Sequence, residues 1–360
     1  MKKHTPYLHY IMIISVVLSL SCIKQGGSAV LQNQKVGVMT FNVENLFDTV
    51  HDDGKLDYTF LPLDVKKKSK EQKEYCDTLK NFKWRDECKY LDWSETALTM
   101  KMKNLAATIL QVNNGKGPDV LILQEVENKK VLEQLIHDHL KDAKYASVYL
   151  QEGKDIRGID VAVVTRLPLS GEVVLHEIPF QQISSEEMKD TRGILEVPLM
   201  LPGGETLIVY ANHFPAPFHK REYRIQAYTY LGELMKKKGD KAFQVAGGDF
   251  NTPGDEDRKH NLLGEYVQNN WVVAHKEAYK GNEGSSYYPK DKTWSFLDMI
   301  LVSKSLNDKK GWDWNPSSFV VANQAKGQLD EDGFPQGFDT RTGVGMSDHL
   351  PLYLEIEKKN

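Results

Sequence analysis

The sequence predicts a sheet-rich α/β protein, and three observations carry the prediction. Eight short β-rich runs are spread from Val36 to Ile356, amphipathic stretches with helical spacing lie between them, and several runs end in polar clusters instead of plain turns. The composition, 40% hydrophobic and 27% charged over 360 residues, is that of a globular chain able to bury a large core. No internal repeat is visible.

In chain order, the first element is an export signal. Lys2 and Lys3 precede an apolar stretch, Ile11 to Leu20, that is too short to span a bilayer comfortably and ends in small residues before Cys22. Ser19, Leu20, Ser21 and Cys22 resemble the cleavage box of bacterial lipoproteins, in which the Cys receives lipid. An ordinary cleaved signal is the alternative. The expected organisation is a signal peptide over 1–21, a tether over 22–35 rich in Gly, Gln and Ser, and one domain over 36–360. Such a protein sits outside the cytoplasm as a monomer, anchored to the bacterial outer membrane. The absence of acidic residues after Cys22 points to the periplasmic face rather than the cell surface.

Loss of Lys2 and Lys3 with the signal moves the net charge from −4 to −6, which gives no support to tight, sequence-independent coating of DNA by bulk charge. Cys76 and Cys88 remain as an even pair. They invite a disulfide across a short loop, with two free thiols equally open, since spacing alone does not set the Cβ separation. No partner pair stands at zinc-finger spacing.

The strand candidates are Val36 to Val43, Val120 to Val126, Ile159 to Thr165, Ile194 to Leu199, Thr206 to Asn212, Phe243 to Asp249, Phe296 to Val302 and Leu350 to Ile356. Leu98, Met102, Leu105, Ile109 and Val112 repeat at spacings of four and three, marking one helix face, with Ser94 and Glu95 as its start signal. Further helices are expected over Val131 to Leu140 and over Glu222 to Lys238, the latter with Ile225, Tyr228, Leu231 and Met235 inward. Residues 50–93 are a polar insertion in which Lys66, Lys67, Lys68, Lys70 and Lys73 mingle with Tyr75, Phe82, Trp84, Tyr90 and Trp93. That mixture suits either a polyanion contact with base stacking or, more simply, a solvated subdomain with a satellite core. Residues 304–346, rich in Gly, Asp, Asn and Pro, read as a long loop of a length that is either functional or disordered.

Six polar clusters fall at strand ends: Asn42 and Glu44 in TFNVENLFD, Glu125 in LILQEVEN, Asn212 and His213 in VYANHFP, Asp249 and Asn251 in GGDFN, Asp298 in FLDMILVS, and Asp348 and His349 in GMSDHLP. Singly, each has a structural explanation as a turn, a helix cap or a satisfied core histidine. Together and in order they supply what phosphodiester hydrolysis requires: a hard cation on a phosphate oxygen, a positioned water, and donors for developing charge. Carboxylates and amides suit Mg²⁺, Mn²⁺ or Ca²⁺, and Glu125, at the end of an apolar strand, is the evident metal carboxylate. His213 and His349 can exchange protons near neutrality. His137 and His139 are set aside, because residues two apart do not share a helix face.

These clusters resemble, in order, the motifs of the endonuclease/exonuclease/phosphatase superfamily, whose prototype is deoxyribonuclease I, and the resemblance spans Val36 to Glu357. It implies a four-layer sandwich of two packed mixed sheets with helices outside. It also implies Glu125 as principal metal ligand with Asn42 and Asp348, Asp249 and Asn251 holding the attacking water and phosphate, His349 acting on phosphate or proton with Asp298 as its carboxylate partner, and His213 as second imidazole. Arg157 and Arg192 precede strands where relatives place phosphate-contacting arginines; salt bridging is the alternative. Phe296 departs from the pattern, standing where many relatives carry a basic residue. The leading expectation is a nuclease acting on DNA or RNA. A phosphoesterase for phospholipid or inositol phosphate is the runner-up, and a binding protein that has lost catalysis ranks below both.

Overall fold

The computed structural model describes Met1, 34–281 and 283–359; the expected signal peptide after Met1, Cys22 and the expected tether as far as Asn33 lie outside the described residues. The strands in chain order are β1 (Lys35–Leu46), β2 (Val120–Val126), β3 (Ser147–Leu150), β4 (Asp160–Thr165), β5 (Val174–His176), β6 (Ile194–Met200) and β7 (Thr206–His213). They continue as β8 (Phe243–Asp249), β9 (Trp271–Val273), β10 (Ser286–Tyr288), β11 (Thr293–Ser295), β12 (Asp298–Ser303), β13 (Trp312–Val321) and β14 (Leu352–Lys358). All eight expected runs are strands, and the six added ones are short, irregular or at edges. The insertion contributes three short helices, α1 (Leu63–Lys68), α2 (Lys70–Thr78) and α3 (Phe82–Tyr90), and the longer α4 (Glu95–Ile109) and α5 (Lys129–His139) follow.

Two six-stranded mixed sheets result, ordered β13-β14-β1-β2-β4-β3 and β5-β6-β7-β8-β12-β9. Each holds one parallel pair, β1 with β2 and β7 with β8, among antiparallel neighbours. Period-two alternation decides the packing. Val36, Val38, Val120 and Ile122 face inward to meet Val197, Val209, Val245 and Ile300 of the other sheet. Met39, Phe41, Leu121 and Leu123 face outward under α4 and α5. On the far side Tyr210, Ala246, Met299 and Leu301 pack under a helix over Arg221–Lys238. Helix, sheet, sheet, helix: the expected four layers are present.

Sequence periodicity located the helices well. Ser94 caps α4, its side chain accepting from Ala97 N. The Arg221–Lys238 helix buries Tyr223, Ala227, Tyr228, Leu231, Leu234 and Met235, whereas Ile225, expected inward, is only half-buried. The expected loop over 304–346 is corrected: its first part forms β13, an edge strand whose pairing with β14 shifts register between Asn315 and Val320. Pro316 sits inside that irregularity, where no ladder donor is needed, and it hid the strand from the pattern.

Within the insertion, Cys76 and Cys88 are disulfide-bonded, with Cα atoms 5.6 Å apart, and form a satellite core with Tyr58 and Leu61. Lys66 leaves the solvated run: it is buried, and its Nζ donates to Thr59 O and Leu91 O, both at 2.7 Å. Among the described residues no helix is long and apolar enough to cross a membrane.

Candidate active site

Strand direction brings the polar clusters to one edge. The parallel pairs deliver the C-terminal ends of β1, β2, β7 and β8, and with them Asn42, Glu125, His213 and Asp249. The antiparallel β12 and β14 deliver their N-terminal ends to the same edge, placing Asp298 at the head of β12 and His349 just before β14. Register fixes the neighbours: Asp249 stands between His213 of β7 and Asp298 of β12. Asn42 joins the two sheets, its Nδ2 donating to Glu125 Oε1 at 3.3 Å and to Asp249 Oδ2 at 3.2 Å. Ser347 Oγ donates to Asn42 O at 2.7 Å and ties in the segment carrying His349.

The backbone is bent where these side chains emerge. Glu44, Asn45, Glu125 and Asn251 all have positive φ, between 50° and 63°, a conformation that costs non-glycine residues energy and collects at functional sites. Both β2 pairings shift register near Glu125, so that its carboxylate turns to accept from Asn45 N at 3.1 Å. The glycines of GGDFN are steric necessities. A Cβ on Gly247 would lie 2.6 Å from Ile122 Cδ1 of the facing sheet, and one on Gly248 2.0 Å from Asn212 O.

The two imidazoles are driven apart electrostatically. Burial lowers the pKa of His213 well below the ordinary histidine value, with the charges of Arg192 and Arg157 adding to the effect. Burial also works against charge on His349, but Asp298, Asp348 and Asp249 outweigh it and hold its pKa well above that value. Its Nδ1 and Asp298 Oδ2 are 2.6 Å apart, and Asp298 is fully buried. His349 Nε2 is 4.0 Å and His213 Nε2 3.7 Å from Asp249 Oδ2. Burial pushes the Asp249 carboxyl up to about 7, against the pull of His349. Asn251 N donates to Asp249 Oδ1 at 2.8 Å, and Asn251 Nδ2 to Phe214 O at 3.0 Å.

Other expected residues fall into distinct places. The Asp348 side chain is 61% exposed, with Oδ1 3.9 Å from His349 Nε2. Asn212 is a structural residue, its Nδ2 donating to Tyr210 O and Gly247 O. Arg192 is buried, 4% exposed at its side chain, and its Nε lies 3.0 Å from Oδ2 of the buried Asp155. Arg157 is 43% exposed, with Nε 3.9 Å from Asp155 Oδ1. Phe296 stacks on the His275 ring, centroids 4.2 Å apart.

Two partners escaped sequence reasoning. Asp155, in the featureless stretch EGKDIRG, organises both arginines. Glu44, present in its motif without an assigned role, accepts from Phe338 N at 3.1 Å, and burial with the charges of Asp348 and Glu125 raises its pKa to about 8. Only the fold reveals that Glu44 and Asp348, some 300 positions apart in the chain, repel one another.

Asn42, Glu44, Glu125 and Asp348 offer hard oxygen donors, and the repulsion of Glu44 by Asp348 and Glu125, which the buried Lys101 ammonium offsets in part, is what a divalent cation would relieve further. The set therefore fits a divalent metal. Asp249, Asp298 and His349 also bring ligand atoms within 4.8 Å of one another. Since the His349 ring favours its charged form and is engaged by Asp298, this trio reads as a hydrogen-bonded Asp298–His349 pair facing Asp249 across 4.0 Å, instead of a metal cage.

An edge site of acids, amides and imidazoles on a four-layer sandwich defines a phosphoester hydrolase of the deoxyribonuclease I type. The chain belongs to the Endonuclease/Exonuclease/phosphatase family, which it matches over residues 84–358. Members are hydrolases acting on phosphodiester bonds with divalent metals. The fold is similar to that of humanized D. rerio TDP2 (12% identity, 89% of this chain and 98% of that one covered, TM-score 0.55). It is likewise similar to D. rerio TDP2 complexed with single strand DNA product (16%, 89% and 98%, 0.53) and to an endonuclease/exonuclease/phosphatase family protein from Bacteroides thetaiotaomicron (14%, 91% and 98%, 0.51). No curated protein matches the sequence.

Proposed function

We propose that this chain is an exported, Mg²⁺-dependent endonuclease that hydrolyses DNA or RNA, lipid-anchored through Cys22 at the periplasmic face of the outer membrane. Mn²⁺ or Ca²⁺ would suit the same oxygen donors. The observation that carries the reading is the meeting of Asn42, Glu125, His213 and His349 around the single carboxylate of Asp249. The capture of single strand DNA product by D. rerio TDP2, a fold relative, supports nucleic acid over other phosphoesters.

Asn42, Glu125 and Asp348 would hold the metal, with Glu44 beside them, and a bound cation supplies charge neutralisation at the phosphate. Asp249, its carboxyl near neutral pKa and aimed by Asn42 and Asn251, takes a proton from the attacking water. His349, kept charged by Asp298, donates from Nε2 to a phosphate oxygen. His213, kept neutral, offers Nε2 to the same phosphate region. Arg157 is exposed enough to meet a flanking phosphate, while Arg192 positions it through Asp155.

The test is one panel of plasmid DNA, RNA, a simple phosphodiester, sphingomyelin and an inositol polyphosphate, each with Mg²⁺, Mn²⁺, Ca²⁺ or EDTA. Nicking of plasmid or cleavage of RNA that EDTA stops is the expected result. Survival of both nucleic acids while a lipid or inositol substrate is consumed would overturn it.

A further inference from the structure

Helix α4 supports the metal side of the active site from behind. Leu98, Met102, Leu105 and Ile109 turn to the core, and beside them Lys101, Asn104 and Thr108, at spacings of three and four, form a polar stripe turned away from solvent. The stripe grips the backbone that leads into Asp348. Asn104 Nδ2 donates to Gly343 O at 2.9 Å and to Gly345 O at 2.8 Å. Lys101 Nζ donates to Met346 O at 3.0 Å and also to Glu44 O at 2.6 Å. One ammonium therefore joins the two turns that carry Glu44 and Asp348.

A lysine in this place needs a reason. It is 1% exposed, and burial lowers its pKa, so the charge is held at a cost. Carbonyl oxygens alone do not call for that charge: the neutral amide of Asn104 holds two of them. What an ammonium adds is its field, and the charges it meets are those of Glu44, Asp348 and Glu125. Lys66 supplies a contrast within the same chain. Its ammonium is also buried on backbone carbonyls, but the charge that acts on it is that of Asp92, in the insertion.

We infer that Lys101 is a positioning residue and resident counter-cation of the metal site: its two carbonyl bonds hold the Glu44 and Asp348 turns together, and its charge offsets their carboxylates and loosens the grip on a divalent cation. Carboxylates gathered at one point repel one another or take up protons in the metal-free chain, and a fixed ammonium opposes both. Having the sign of the metal, it also lowers the affinity with which the metal is held. This rests on reading Asn42, Glu44, Glu125 and Asp348 as the divalent-metal ligands, and adds what sets the strength of their hold.

The test is Mg²⁺ binding by calorimetry, with thermal unfolding in EDTA and in saturating Mg²⁺, for the full chain and for Lys101→Met, which is close in length but uncharged. Lys101→Met should bind Mg²⁺ about tenfold more tightly than wild type. By linkage, its unfolding temperature should fall in EDTA and recover most of the loss in Mg²⁺. Lys66→Met, the control, should lose the same amount in both and bind Mg²⁺ as wild type does. Should Lys101→Met not fold, the comparison moves to a background with one carboxylate fewer, where Glu44→Gln combined with Lys101→Met should bind Mg²⁺ more tightly than Glu44→Gln alone. Equal or weaker binding without the ammonium, with an unfolding loss that is the same in EDTA and in Mg²⁺, marks an ordinary structural lysine like Lys66 and overturns the inference. A wild-type chain that binds no divalent cation overturns the metal reading itself, and the inference with it.

Discussion

The Nε2 atoms of His213 and His349 approach one oxygen, Oδ2 of Asp249, from 3.7 and 4.0 Å, and their surroundings drive the two rings to opposite protonation states. His213 is desolvated beside two arginines, whereas His349 is desolvated beside three aspartates. Two similar side chains thereby acquire different chemistry at one carboxylate.

Removing either side of this arrangement should abolish turnover without unfolding the chain. Asp249→Asn and His349→Ala are each expected to lower the rate by about 10²- to 10⁴-fold, the usual share of positioned acid–base groups. Steady-state kinetics on the best substrate of the panel, with circular dichroism as the fold control, checks this. Undiminished activity in either variant removes the residue from the reaction.

Asp298 raises the pKa of His349, so Asp298→Asn should bring it down. The sign follows from charge: without the carboxylate the imidazolium loses its main support, and the ring deprotonates at lower pH. Histidine ring resonances followed by NMR in metal-free protein should show His349 titrating earlier, while His213 stays neutral throughout. The alkaline limb of the activity profile should move to lower pH in step.

The Arg192–Asp155 pair is buried on both sides, unlike Arg157 at the surface. Arg192→Gln should cost about 3–5 kcal/mol, since the buried Asp155 carboxylate loses its buried partner and keeps only Arg157, through its backbone N–H at 2.8 Å and its part-exposed guanidinium at 3.9 Å. Arg157→Ala should cost less than about 1 kcal/mol of stability and instead raise KM. Urea unfolding and kinetics separate the two; equal destabilisation would show that both arginines are structural.

Asp160 is a buried carboxyl whose pKa is raised to about 7, chiefly by burial, with Gly153 N donating to its Oδ1 at 2.8 Å as partial compensation. The unfolded chain releases this proton near the ordinary value of 3.8. Stability from the neutral form is therefore complete below that pH and lost progressively as pH rises toward 7. Asp160→Asn keeps the acceptor and cannot ionise, so it should unfold at higher temperature than wild type at about pH 8 and show little gain at about pH 3. Equal unfolding temperatures under the alkaline condition would contradict the burial argument.

Much of the core was readable because burial leaves a periodic signature. Runs of β-rich residues placed the eight expected strands, and spacings of three and four placed the helix over Leu98 to Ile109. Short edge strands such as Val174–His176 carry too few residues for a period, and Pro316 disguised Trp312–Val321. The six motifs were legible because each crowds polar residues against an apolar run. Asp155 was not, because a buried ion-pair partner has no local pattern.

By itself the sequence determined which residues emerge at strand ends and which chemistry they are able to perform, since side-chain type and period are local properties. Tertiary structure alone decided that Asn42 would bridge two sheets, that Asp249 would lie between His213 and Asp298, and that Glu44 would face Asp348. Those relations depend on strand direction, register and the desolvation of charges brought together from distant parts of the chain, and none of these is written in any short segment.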